Sequence, residues 1–315
     1  MKRIVFTSAL LFAMTSAAQS ITPITTFQPA TYLGNGSWIA DDGSTGSYSS
    51  YTTVDSNGWT TIQNRNGQLY FYETVVSIDA NGFFTAAVTD NSDPNNPVNY
   101  VGEGNCGSLQ CQLIVQLSNG TLQKSMVVDP STSNVYVFAS IYYVDGTPNV
   151  QWEGLGLPLP ANATDKEVRA MGEAAALINP ITEFEPGNYL GTGAWLADDG
   201  SSGNFQTFVD MESDGWTSVK IVLGNLYIHE TSVFFDENGF FSAFITDASD
   251  PSNPAYYFGN GNCGSSTCQL TVPLANGFLQ TSTVFGEDSI YSFGAVFYND
   301  GTANIQFEGN STLLP

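Results

Sequence analysis

Apolar and polar residues alternate along most of this chain in short runs, and an Asn-Gly or Asp-Gly pair closes many of them. In the first half the runs span Tyr48 to Val54, Gln68 to Ile78, Phe83 to Thr89, Gln112 to Leu117 and Val135 to Val144. The closing pairs include Asp42-Gly43, Asn57-Gly58, Asn66-Gly67, Asn81-Gly82, Asn119-Gly120 and Asp145-Gly146. A period of two predicts strands, and these pairs tolerate the positive φ that tight hairpins require. No helical period interrupts the series. Successive strands are therefore expected to pair as an up-and-down antiparallel meander. About nine or ten strands do not stay open and flat, and closure into a barrel removes both edges.

The run from Tyr70 to Ile78 shows the division of faces most clearly. One face carries Tyr70, Tyr72, Thr74, Val76 and Ile78, and the other carries Phe71, Glu73, Val75 and Ser77. The first face is expected to line the interior, which points Glu73 outward. Its mixture of rings and polar tips suits a filled core or a cavity wall. Tyr70 and Tyr72, with their counterparts Tyr227 and His229, are the candidate ligand-contacting residues.

Those counterparts exist because the chain is one domain written twice. Gly34-Asn-Gly-Ser-Trp38-Ile-Ala-Asp-Asp42-Gly returns as Gly191-Thr-Gly-Ala-Trp195-Leu-Ala-Asp-Asp199-Gly, 157 residues later. The offset holds without insertion from Phe27/Phe184 to Val127/Val284, with more than half of the paired residues identical. The predicted organisation is a signal peptide at 1–18, repeat 1 at 19–156, a Pro-flanked helical linker at 157–183 and repeat 2 at 184–315. Lys2 and Arg3 before the apolar run Ile4 to Met14, followed by Ser16-Ala17-Ala18, read as a secretory signal too short to span a membrane. In the linker, Thr164-Asp-Lys-Glu167 forms a capping box, Val168 to Leu177 is Ala-rich, and Asn179-Pro180 ends the helix. Each repeat holds its own hairpins, cysteine pair and tryptophans. The barrels are thus expected to fold independently, in a monomer.

Gly36-Ser-Trp38 and Gly193-Ala-Trp195, each on the first strand of a meander, resemble the G-x-W signature of lipocalins and the wider calycin superfamily. The resemblance implies two tandem calycin-like barrels of all-β fold, each with its Trp buried at one end. The sequence departs from the lipocalins in lacking a T-D-Y motif. Its last strands, Val150-Gln-Trp-Glu153 and Ile305-Gln-Phe-Glu308, also lack the Arg that stacks on the Trp in that family.

Removal of the signal leaves five basic residues against 30 acidic ones, a formal charge of −25. Such a field repels nucleic acid and anionic membranes, so neither is an expected partner, and it keeps a secreted chain soluble. Cys106-Gly-Ser-Leu-Gln-Cys111 and Cys263-Gly-Ser-Ser-Thr-Cys268 are expected as two local disulfides of a periplasmic or extracellular protein. Catalysis has little footing, because His229 is the only histidine and nucleophile–base pairs are scarce. Paired carboxylates remain as a possible enzyme chemistry. The Pro-braced loops with Asp90, Asp93 and Asn96, and with Asp247, Asp250 and Asn253, offer closely spaced oxygens that suit weak calcium binding. Trp59 and Trp216 are expected to turn inward as caps, the alternative being exposed stacking on a sugar. The function expected from sequence is non-catalytic binding of a small apolar molecule in one or both barrels. Two alternatives stand beside it: filled barrels acting through loops on an extracellular macromolecule or glycan, and a carboxylate-based enzyme.

Overall fold

The computed structural model describes residues 20–128, 133–160, 178–222 and 224–315. They form two closed barrels of ten antiparallel strands each, in meander order. The first comprises β1 (Ala30–Ala40), β2 (Thr45–Val54), β3 (Trp59–Arg65), β4 (Gln68–Ile78), β5 (Phe83–Asp90), β6 (Val98–Cys106), β7 (Gln110–Leu117), β8 (Gly120–Val128), β9 (Val135–Tyr143) and β10 (Val150–Pro158). The second comprises β11 (Gly187–Ala197), β12 (Ser202–Glu212), β13 (Gly215–Val222), β14 (Asn225–Val233), β15 (Phe240–Asp247), β16 (Ala255–Cys263), β17 (Thr267–Leu274), β18 (Gly277–Phe285), β19 (Ser289–Tyr298) and β20 (Ile305–Leu313). The expected signal peptide and the helix expected over 164–177 lie outside the described residues, which contain no helix. Strand β10 runs through Leu157 and Pro158, into the segment read as linker.

Turn chemistry and close packing explain why this sequence closes. Asn66 and Gly67, with φ of 50° and 74°, make the two-residue turn between β3 and β4. Strand β1 pairs with both β2 and β10, which seals the barrel. Trp38 lies opposite Gly46 on β2 and Trp152 on β10. A Cβ on Gly46 would sit 2.5 Å from Trp38 Nε1, and one on Gly203 would sit 2.6 Å from Trp195 Nε1. The last glycine of each Gly-Ser-x-Gly turn is therefore the seat of the motif tryptophan. Cys106–Cys111 and Cys263–Cys268 are both bonded, closing the β6–β7 and β16–β17 hairpins. The outward face of β2 is Thr45, Ser47, Ser49, Tyr51 and Thr53, the reverse of a barrel that presents an apolar band to lipid.

From Phe71 to Val76 the interior face of β4 is opposite to the one expected from alternation, while Tyr70 and Ile78 of the expected face do pack against the core. Phe71, Glu73 and Val75 are buried, whereas Tyr72 and Val76 are exposed. The reason is a bulge. Gln63 pairs with Phe71 and Asn64 with Leu69, which leaves Tyr70 unpaired and half-inward beside Phe71. The second barrel repeats it: Lys220 pairs with Ile228 and Ile221 with Leu226, with Tyr227 as the extra residue. Glu73 and Glu230 thus point into the barrels. Trp59 and Trp216 are buried as expected.

The barrels are packed together by the outward faces of β6–β10 and β16–β20. Gln112 Nε2 donates to the Phe293 carbonyl at 3.2 Å, and Gln269 Nε2 to the Phe138 carbonyl at 2.9 Å. Gln306 bonds Asn105 and the Asn81 carbonyl, just as Gln151 bonds Asn262 and the Asn238 carbonyl. Ser108 donates its N–H and hydroxyl to the two oxygens of Glu308, and Ser265 does the same to Glu153. Every one of these contacts occurs twice with the repeats exchanged, so the interface is pseudo-two-fold. Phe138 and Phe293 are wholly buried in it. They rest on Gly264 and Gly107, where an added Cβ would come within 2.7 Å and 2.4 Å of the respective rings. The Cys-Gly-Ser motif therefore serves this contact as well as a turn: glycine for the neighbour's ring, serine for its carboxylate.

Candidate functional site

Each barrel interior has two ends. The motif tryptophans Trp38 and Trp195 lie near one, with the β3–β4 and β13–β14 turns. Trp59 and Trp216 lie near the other, with the β2–β3 and β12–β13 turns. The two barrels are hollow at opposite ends.

In the first barrel the motif end is plugged. The Arg65 guanidinium carbon lies 3.9 Å from the Tyr70 ring centre, 5.1 Å from Trp38 and 5.7 Å from Trp152. Strand β3 thus supplies the cation that lies against Trp38 and Trp152. Its Nε and Nη2 have no hydrogen-bond partner among the described residues, and the aromatic faces stand in for one. The other end holds a cavity of about 280 Å³, bordered by Phe27, Val54, Trp59, Met126, Val135 and Trp152, with Gln63, Lys124 and several Ser and Thr side chains among its polar members. Beside it Glu73 accepts a hydrogen bond from Trp59 Nε1 at 2.6 Å. Its two oxygens also accept from Lys124 Nζ at 3.0 and 2.9 Å.

In the second barrel the arrangement is reversed. Phe184, Trp216, Phe235, Phe241 and Phe285 fill the end equivalent to the first cavity, with neighbouring ring centres 4.6 to 5.7 Å apart. Only about 20 Å³ remains there. Space opens instead at the motif end, because Val222 occupies the place of Arg65 and Phe307 that of Trp152. This cavity of about 180 Å³ is bordered by Trp195, Val222, Tyr227, Leu274, Tyr298 and Phe307, with Lys220 also on its wall and Asp247 and Ser249 at its rim. Burial, followed by neighbouring Tyr227 and Asp247, pushes the Tyr298 phenol up to about 12. Burial and Asp247 raise Tyr227 as well. Both phenols stay neutral donors at physiological pH.

Of the ligand candidates, Tyr227 borders the second cavity, and Tyr70 is spent on Arg65. Tyr72 is exposed and His229 half-buried, both on the outer side of their strands. The bulge is what separates them from the interior. Sequence reasoning missed Gln63, Lys124 and Lys220. A signal for Gln63 and Lys220 was present. If Trp59 and Trp216 point inward, so do the residues four positions on, Gln63 and Lys220.

In the acidic loops, Asp90 accepts from the Ser92 N–H and Asp93 from the Asn95 N–H; Asp247 and Asp250 accept likewise from Ser249 and Ser252. These are Asx turns that shape the connections. Asn96 and Asn253 donate their backbone N–H groups to the Asp93 and Asp250 carbonyls. No group of three or more His, Cys, Asp and Glu side chains converges in a metal-holding arrangement among the described residues. No described helix is long and apolar enough to cross a membrane.

No family model and no curated protein matches the sequence. Solved structures similar to it include a protein of unknown function from the DUF3598 family of Nostoc punctiforme. That match has 8% identity and a TM-score of 0.48, over 90% of this chain and 96% of that one. A mutant of transferrin binding protein B from Haemophilus parasuis matches at 9% identity and a TM-score of 0.28, over 93% of this chain and 78% of that one. Isotype 1 transferrin binding protein B from serogroup B Neisseria meningitidis matches at 10% and 0.27, over 95% and 79%. These scores are too low to carry a functional argument.

Proposed function

We propose that the chain is a secreted, non-catalytic binding protein that takes a small apolar ligand into one or both barrels. The observation that carries this reading is the pair of interior cavities, each walled mainly by apolar side chains with a few polar groups among them, the usual make-up of a small-molecule site. Their volumes suit small molecules, since an apolar cavity of ~150 Å³ already accepts benzene. The paired disulfides fit an oxidising compartment. Acid–base work by two carboxylates needs them within roughly 5–10 Å of each other across one substrate. Glu73 and Glu230 lie in different barrels, and each is hydrogen-bonded to a tryptophan. The chemistry therefore favours binding over catalysis.

A second reading, contact with an extracellular macromolecule, has one specific observation behind it. Phe244, Tyr256 and Phe258 are exposed on the outer face of β15 and β16, with Phe244 and Phe258 ring centres 5.4 Å apart. The first barrel has Ala87, Asn99 and Val101 at the same places.

Native mass spectrometry of the protein purified from its own secretions tests the first reading. The expected result is an excess mass of a small molecule that leaves on denaturation. Val54→Phe or Val222→Phe, which fill the two cavities, lowers its occupancy. The bare chain mass in every preparation contradicts it.

A further inference from the structure

The two barrels keep the same buried carboxylate but not the same cation. Glu73 and Glu230 occupy equivalent positions, and each accepts a hydrogen bond from the equivalent tryptophan. In the first barrel Lys124 completes the pair. In the second, Thr281 stands in place of Lys124, and Ser232 donates its hydroxyl to Glu230 at 3.2 Å. The lysine of the second barrel is Lys220, on β13, where the first barrel has Gln63. It is 8% exposed. Its Nζ has no hydrogen-bond or ion-pair partner among the described residues and lies 5.1 Å from the Phe307 ring centre.

Lys220 borders the 180 Å³ cavity and also the small space behind it. An amine without an acceptor on the wall of an apolar pocket is the arrangement that favours the neutral, nucleophilic form. Desolvation indeed lowers Lys220, with Glu230 opposing the shift. The charges around it argue against an anionic ligand. Glu230 lies to one side, Asp247 stands at the rim, and the whole chain is strongly acidic. A neutral carbonyl compound meets none of that repulsion.

We propose that Lys220 captures a small, neutral, apolar aldehyde in this cavity as a reversible imine. This rests on the reading of the barrel interior as a ligand site and names the ligand class. The Nζ lone pair adds to the carbonyl carbon, and the carbonyl π electrons move to oxygen, which takes up a proton as nitrogen gives one up. The resulting carbinolamine loses its hydroxyl and the second N–H proton as water, and the C=N bond forms. Aldehyde and amine become imine and water, with no oxidant or reductant. Compounds of benzene or hexanal size match the volume, by comparison with the ~150 Å³ that holds benzene.

The full chain is treated with hexanal and cyanoborohydride at pH 7, which reduces the imine to a stable amine, and the site is mapped by peptide mass spectrometry. Lys124, held by both oxygens of Glu73, is the internal control. Lys220 should be alkylated several-fold faster than Lys124, because desolvation disfavours its charged form whereas Lys124 Nζ is engaged by both oxygens of Glu73. Toluene, which has the size but no carbonyl, should protect it, and Lys220→Met should remove the adduct while toluene still binds by calorimetry. Toluene binding without a Lys220 adduct overturns the imine and leaves the binding reading intact. Neither adduct nor toluene binding overturns both. A Lys220 adduct that toluene does not reduce, or equal labelling of the two lysines, also refutes the proposal.

Discussion

Expressed alone, residues 20–160 should form dimers in solution, not the independently folding monomer that alternation and the repeat alone suggest. The barrel is closed in itself, with β1 bonded to β10, so the fragment leaves no strand edge unpaired. What it lacks is cover for its β6–β10 face. Gln110, Gln112, Gln123, Phe138 and Gln151 are no more than 1% exposed in the whole chain, and in the fragment their outward side chains meet water. Because the interface is pseudo-two-fold, the face is close to complementary to itself. A second copy of the fragment can repeat most of the Gln-to-carbonyl bonds, the Phe-on-Gly contact and the Ser-to-Glu pairs. Residues 178–315 should compete for the same face and give a 1:1 complex. Sedimentation equilibrium on each fragment and on their mixture decides this. A monomeric fragment melting at the temperature of the full chain would contradict it.

The second large effect is in the first barrel's ion pair. Glu73→Leu leaves the Lys124 amine without its partner inside the barrel, and Lys124→Met leaves Glu73 with only the Trp59 N–H. Removing one member of a buried pair costs about 3–5 kcal/mol, because the survivor keeps its desolvation penalty and loses its counter-charge. Replacing both by residues of similar volume should recover most of that loss. Lys220→Met in the second barrel breaks no ion pair and should be close to neutral or stabilising. Denaturant unfolding of the four variants gives the comparison. Single and double substitutions in the first barrel of equal stability would contradict the buried pair.

Much of the architecture was legible because its causes are local. Asn66-Gly67 specifies a tight hairpin, each cysteine pair is close in sequence, and alternation with a period of two marks strands wherever no extra residue intervenes. The interior of β4 was not legible, because the bulged residue Tyr70 exchanges the faces from Phe71 to Val75, and a second register shift returns Ile78 to the core. Glu73 consequently lies inside and Tyr72 outside. The contact between barrels was hidden for another reason. Its outward residues are largely glutamine and serine, which read as a solvated face. Only the structure brings them against the other barrel's carbonyls. The hollow ends were hidden too, since each depends on pairs such as Arg65/Val222 and Trp152/Phe307, whose consequence needs three dimensions.

Diffraction from crystals of the full chain under xenon pressure tests the two interior sites most directly, since xenon enters dry apolar cavities large enough to hold it. The expected result is one site in each barrel at opposite ends: beside Trp59 and Val135 in the first, and beside Val222 and Tyr298 in the second. Xenon in neither barrel, or at the same end of both, would contradict two separate apolar cavities and the binding function built on them.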